Sequence, residues 1–186
     1  IARATEFLEF EYVEIISRFN NELEYSYYDD FIANNRKISK LIVTSYSENK
    51  KSTDNIIYLN EVIDFANDCG VINSSYFSPN IELFTESINF NNCLNKKISI
   101  DSNGEIRNCP SMKKSFGNVF QTPLETVVSD SEFMKIWKIK KDDIEVCKDC
   151  EFRYICSDCR AFTEDDGLNS KPSKCSYDPY KGIWND

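Results

Sequence analysis

Four cysteines fall within thirteen residues in "CKDCEFRYICSDC", residues 147 to 159, and the chain contains no histidine. Two CxxC steps this close are awkward as internal disulfides but suit the gripping of a metal. Eight cysteines are present in all: Cys69, Cys93, Cys109, Cys147, Cys150, Cys156, Cys159 and Cys175. That share is high for a globular chain, yet below the density of a small disulfide scaffold. With no evident secretion signal, reduced thiols and a cytoplasmic setting are expected.

All-thiolate sites suit two kinds of centre, zinc and iron–sulfur clusters. Zinc ribbons separate their two CxxC hooks by a hairpin longer than the five residues "EFRYI". Those five residues are too few to fold back as two strands, so the two hooks need not serve one ion. Iron–sulfur clusters favour cysteines on tight irregular turns, with partners arriving from distant parts of the chain. Pro110 directly after Cys109 also resembles the ferredoxin placement of proline after a ligand. Spacing therefore favours iron–sulfur, with all-cysteine zinc as the alternative.

The rest of the composition narrows the partners. At 186 residues the chain has room for one large domain or two small ones, and thirteen Phe and ten Tyr can fill a core. The net charge is −9 with no basic stripe, which makes a nucleic-acid backbone a poor partner. No apolar run is long enough to span a membrane.

The opening "IARATEFLEFEYVEIISRF" lacks an initiator Met and reads as a helix already under way, as in the C-terminal portion of a longer protein. Phe7, Leu8, Tyr12, Ile15, Ile16 and Phe19 recur at helical steps, so residues 1 to about 36 are expected to be helical, interrupted near "NNELEYSYYDD". "KISKLIVTSYS" and "NIIYL" read as strands, "IELFTESI" as a third, and "VIDFANDCG" as a helix end or a loop. A mixed α/β (or α+β) layer is expected for residues 1–92, with residues 93–186 as a second region.

That second region opens with "CLNKKISIDSNGEIRNC". It alternates, turns at Asn103-Gly104 and returns, which is a hairpin that would bring Cys93 and Cys109 together. "TPLETVVSDSEFMKIW" follows as a helix with Thr122 as N-cap and Pro123 at the first position. Leu124, Val127, Val128, Phe133, Ile136 and Trp137 are expected to be packing residues. Beyond Gly167 the chain is loop-rich, with Pro172, Pro179 and Gly182 as breakers.

The full spacing resembles the SPASM domain, the auxiliary-cluster module of many peptide-modifying radical SAM enzymes. The matching residues are Cys93-x10-Gly104-x4-Cys109, then Cys147-x2-Cys150-x5-Cys156-x2-Cys159, then Cys175. One step departs, since the family usually has three residues between the cysteines that match Cys156 and Cys159. The wording "CLNKKISIDSNGEIRNCPS", "CKDCEFRYICSDCRAF" and "KPSKCSYDPYKGIW" is most similar to the grasp-with-spasm peptide maturases. The resemblance implies that residues 1–92 end a partial barrel-like α/β domain and that residues 93–186 are the SPASM domain. It also implies two [4Fe-4S] clusters: Cys93, Cys109 and Cys159 would hold the first, and Cys147, Cys150, Cys156 and Cys175 the second. A precursor peptide and an ATP-grasp ligase are the partners it suggests. Three thiolates leave one place at the first cluster. Cys69 is a candidate for it, although a lone cysteine is more often a small buried hydrophobe.

S-adenosylmethionine enters only with a CxxxCxxC loop, and these residues contain none. Two readings follow: the auxiliary-cluster half of a peptide-modifying catalyst, or a binding module that presents a peptide to a ligase. A zinc-stabilised interaction domain is the third. Around the cysteines, Lys148, Arg153 and Arg160 alternate with Asp149, Glu151 and Asp158, which reads as a locally balanced loop. Phe152 and Tyr154 are read as cluster shields or plain packing, and Trp184 as a lid. Arg107, Lys113 and Lys114 read as a solvated face rather than a peptide contact.

Overall fold

A computed structural model describes residues 13–46, 51–62, 69–165 and 167–185. The chain divides into two compact units, Ile1–Phe65 and Ala66–Asp186. Helices and strands are mixed, and no closed barrel forms among the described residues.

The first unit is a three-stranded parallel sheet with one helix. Strands β1 (Val13–Arg18), β2 (Ile38–Thr44) and β3 (Ile56–Tyr58) lie in sequence order, and helix α1 (Tyr25–Asn34) connects β1 to β2. Ile15 faces Leu41 and Ser17 faces Val43 across the first pair. The core is Tyr28, Leu41, Val43 and Ile56, with Ile15, Phe19, Phe31 and Ile32 against it.

Two expectations fail here. Residues 13–18 form a strand rather than a helix, with exposure alternating along it. Ile16 is 65% exposed, so it belongs to no buried helical face. β-Branched Val13, Ile15 and Ile16 fit a pleated surface beside β2 better than a helix. The helix instead begins inside the polar stretch read as an interruption, because Tyr28, Phe31 and Ile32 give that stretch an apolar face at three- and four-residue steps. Phe7, Leu8 and Tyr12 lie outside the described residues.

In the second unit, helix α2 (Ile81–Asn89) replaces the expected third strand. The Asn80 carboxamide oxygen accepts from the Leu83 N–H at 2.8 Å, and the Thr85 hydroxyl donates back to the Ile81 carbonyl at 2.8 Å. Capping of this kind starts a helix whatever the strand preference of the residues that follow. Ile81, 78% exposed, is not a buried strand residue.

The hairpin forms as expected. Strands β4 (Ser99–Ile100) and β5 (Ile106–Arg107) pair antiparallel. Gly104 holds φ +86°, and the Asp101 carboxylate accepts from the Asn103 and Glu105 N–H groups. A Cβ at Gly104 would stand 2.8 Å from the Asn118 side chain, so close approach adds to the demand for glycine.

The single helix expected over residues 123–137 is two short ones, α3 (Leu124–Val128) and α4 (Ser131–Lys135). The Asp130 carboxylate accepts from the Glu132 and Phe133 N–H groups, ending one helix and starting the next. Pro123 is the N-cap of α3, while Thr122 lies against the bare face of Gly117. Leu124, Val127, Phe133 and Ile136 are buried as expected. The tail adds a small hairpin of β6 (Tyr177–Asp178) and β7 (Ile183–Trp184).

Candidate metal centres

Cys93 follows "NN" just after α2, and both asparagines fix it. Asn91, 1% exposed, accepts the Cys93 and Leu94 N–H groups on its side-chain oxygen at 3.2 and 3.0 Å. Asn92 reaches the distant cysteine loop: it donates to the Cys156 carbonyl at 2.8 Å and accepts from the Asp158 N–H at 3.0 Å. Cys109 ends the hairpin on a turn closed by the Met112 N–H donating to its carbonyl at 3.0 Å.

Cys93, Cys109 and Cys159 line one cavity, and Cys69 lines it with them. Cys69 is brought there by the segment that follows it. Ile72 bridges to Cys175 in a parallel pair, and the Lys174 ammonium donates to the Cys69 carbonyl at 2.6 Å. Gly70, at φ +87°, turns its bare face to Cys159, where a Cβ would stand 2.8 Å from Sγ. Glycine is thus what lets the Cys69 segment close on Cys159.

Cys147, Cys150, Cys156 and Cys175 are the set expected for a second cluster. Three of them come from a single loop of one-turn steps: Cys147 opens a 3-10 turn, and the Cys150 N–H donates to the Cys147 carbonyl at 3.0 Å. Cys175 approaches from the tail, where its N–H donates to the Pro172 carbonyl at 3.1 Å.

The electrostatics follow the same division. Burial pushes the Cys93 thiol up to about 11, Lys97 opposes this, and the charges of Cys109, Cys159 and Cys69 add to it. Burial also raises Cys109, against the Ser111 N–H and hydroxyl, which favour its thiolate; Cys69 and Cys159 push it further up. In the other set burial pushes Cys156 up to about 12, with Lys141 opposing and Cys175 and Cys147 adding. Burial raises Cys147 and Cys150 as well, and both feel the charge of Cys175. Each thiol named here feels cysteines of its own set. Burial thus disfavours the thiolates of both sets, and only a cation bound beside them would offset that cost.

Thiols on irregular turns have the chemistry of iron–sulfur ligands: Cys69, Cys93, Cys109 and Cys159 line one cavity, and Cys147, Cys150 and Cys156 each lie near enough to Cys175 to feel its charge. A single zinc with Zn–S bonds of about 2.3 Å would need its sulfurs within about 4 Å of one another. Among the described residues no group of three or more His, Cys, Asp or Glu side chains stands close enough to hold a single metal ion, of whatever kind.

A hydrophobic wall joins the two sets. Leu94, Ile136, Ile139, Ile144 and Cys147 make one core cluster, with Cys93, Cys109, Met112 and Trp137 against it. Phe152 packs with Phe77, Tyr177 and Trp184 in an aromatic group over the cysteine loop. Tyr154 lies against Phe84 and donates to Asp142 at 3.0 Å. Exposed Lys114 pairs with Glu132 at 3.8 Å, as on a solvated face, whereas Arg107 is partly buried, pairing with Asp101 at 3.3 Å and donating to the Met112 carbonyl at 3.3 Å.

The expected local charge balance of the cysteine loop does not hold in space. Lys148, Asp149 and Glu151 are exposed, whereas Asp158 and Arg160 are buried with Lys141, which comes from outside the loop. Sequence reasoning missed Lys141, Asn91, Asn92 and Gly70. Only the asparagine pair before Cys93 carried a signal, as polar residues at an element boundary.

Residues 92–151 match the family model of the SPASM domain, described as an iron–sulfur cluster-binding domain. The match takes in Cys93, Cys109, Cys147 and Cys150 and implies iron–sulfur binding by this region. No curated protein and no solved structure matches the chain. No helix among the described residues is long and apolar enough to cross a membrane.

Proposed function

We propose that the chain carries two iron–sulfur clusters, each held by four cysteines, as the auxiliary-cluster region of a radical SAM-type peptide maturase. Cys69, Cys93, Cys109 and Cys159 hold the first, and Cys147, Cys150, Cys156 and Cys175 the second. The observation that carries this reading is Cys69 on one cavity with Cys93, Cys109 and Cys159, a fourth thiol at a site where the family spacing supplied three. Clusters of this type supply one-electron transfer when bound. With four thiolates the first site is closed, which favours electron relay over capture of a peptide on an open iron. The resemblance to grasp-with-spasm maturases supports a precursor peptide as substrate, an ATP-grasp ligase as partner and a cytoplasmic setting.

The test is iron, sulfide and zinc content of anaerobically purified protein, with its visible spectrum. About eight irons and eight sulfides per chain support two cubanes. Zinc without sulfide overturns the reading. The peptide role is tested by co-expressing the full chain with a precursor peptide from such a gene cluster and weighing the peptide. A mass change that disappears in Cys93→Ala or Cys109→Ala supports maturation. A change that persists unaltered refutes a role for the first cluster in it.

A further inference from the structure

Between the two thiol sets lies a buried ion triad. The side chains of Lys141, Asp158 and Arg160 are 4%, 2% and 0% exposed. Asp158 Oδ1 accepts from Lys141 Nζ at 2.9 Å and Arg160 Nη2 at 2.9 Å. Its Oδ2 accepts from Arg160 Nε at 2.5 Å and Asn91 Nδ2 at 2.7 Å. Arg160 Nη1 donates onward to the Leu168 and Ser170 carbonyls at 2.9 and 2.7 Å. Every lone pair of the carboxylate is taken, yet two cations face one anion.

Burying a net charge is costly unless something opposite lies beside it. Lys141 Nζ stands 3.8 Å from Cys147 Sγ, and Asp158 and Arg160 line the cavity of the other four cysteines.

We propose that Lys141, Asp158 and Arg160 form a shared counter-charge between the two sites, one net positive charge that raises the reduction potential of the cluster held by Cys147, Cys150, Cys156 and Cys175. The inference rests on the two-cluster reading. Its chemistry is elementary: reduction adds an electron to an already anionic, thiolate-bound cluster, and a fixed cation in a low-dielectric setting favours the more negative state. Lys141 acts through Cys147 and is a tuning residue. If the triad only pinned the loops together, removing its charge would change stability and leave the potential where it was.

The experiment is a redox titration of the anaerobically loaded full chain, followed by electron paramagnetic resonance. The second-site signal is identified as the one that survives the double replacement Cys93→Ala with Cys109→Ala. In Lys141→Met that midpoint falls, with a tenfold or greater drop in the reduction equilibrium constant, about 59 mV for one electron. Lys141→Arg keeps the wild-type midpoint. Lys141→Met combined with Asp158→Asn leaves Arg160 as one net positive charge and recovers at least half of the loss. Full iron content with an unmoved midpoint in Lys141→Met overturns the proposal while leaving the two-cluster reading intact. Wild-type protein with zinc and no sulfide sinks both. If Lys141→Met fails to hold the second cluster, Lys141→Arg decides: a cluster retained there shows that the charge is needed, and a cluster lost there shows that packing is.

Discussion

Cys69, Cys93, Cys109 and Cys159 come from four separate stretches, whereas Cys147, Cys150 and Cys156 share one short loop and need only Cys175 from the tail. In the proposed two-cluster reading the first site is built by closing long loops, and each closure carries an entropy cost that its metal bonds would offset. The second site is largely local, its loop already folded by backbone hydrogen bonds such as Cys156 N–H to the Phe152 carbonyl at 2.9 Å. Two sets of four thiols in one unit therefore differ in what holds them. Tertiary contacts hold the first, and turn geometry with buried charge holds the second.

The sharpest way to break this contrast is Gly70→Val. Valine at φ +87° is strained, and its Cβ would meet Cys159 Sγ at 2.8 Å and Phe162 at 3.2 Å. The valine side chain would displace Cys159 as well as the Cys69 segment, leaving only Cys93 and Cys109 in place, so the first cluster should be lost and iron should fall by about half, from about eight to about four per chain. Second-site spectra should persist. Loss of both clusters together would mean that the two sites assemble as one unit and that the contrast is false.

A smaller effect is expected from Cys69→Ala. The exposed Cys69 is held through Gly70 and Lys174 rather than by a hairpin or an asparagine clamp. Its removal should leave a first cluster on three thiolates, stable without oxygen but shedding about one of its about four irons on mild oxidation. Paramagnetic resonance of the oxidised protein would report the change. A variant that matches wild type through oxidation would remove Cys69 from the ligand set.

Much of this organisation was legible in the chain. The hairpin was readable because Gly104 must take positive φ, and the cysteine spacing pointed to clusters because "EFRYI" is too short for a zinc hairpin. Two strands of the first unit announced themselves through β-branched runs. The failures share a cause. Residues 13–18 carry helix-like apolar spacing, but the neighbour that makes them a strand, β2, lies more than twenty residues on. Residues 81–89 look strand-like, but Asn80 caps them locally. The charge triad was invisible because Lys141 is separated from Asp158 in sequence and nothing in "KIKKDD" distinguishes the buried lysine from its solvated neighbours.

The smallest expected effect probes the local character of the second site. Val146, immediately before Cys147, has φ 66° and ψ −46°, a conformation a β-branched residue rarely takes. The Cys147 N–H donates back across it to the Glu145 carbonyl at 2.7 Å, a tight three-residue turn that aims the cysteine. Strain of this kind costs about 1–3 kcal/mol, and glycine, which adopts the conformation freely, brings an entropic loss of about 0.5–1 kcal/mol. Val146 is only half-buried, so little packing is lost with its side chain. Val146→Gly should therefore raise the stability of the loaded protein by about 1 kcal/mol, read from the midpoint of anaerobic denaturant unfolding followed by second-site colour. A loss of stability would show that the turn relies on the valine side chain. The second site would then lean on tertiary packing as the first does, and the difference between them would narrow to loop length alone.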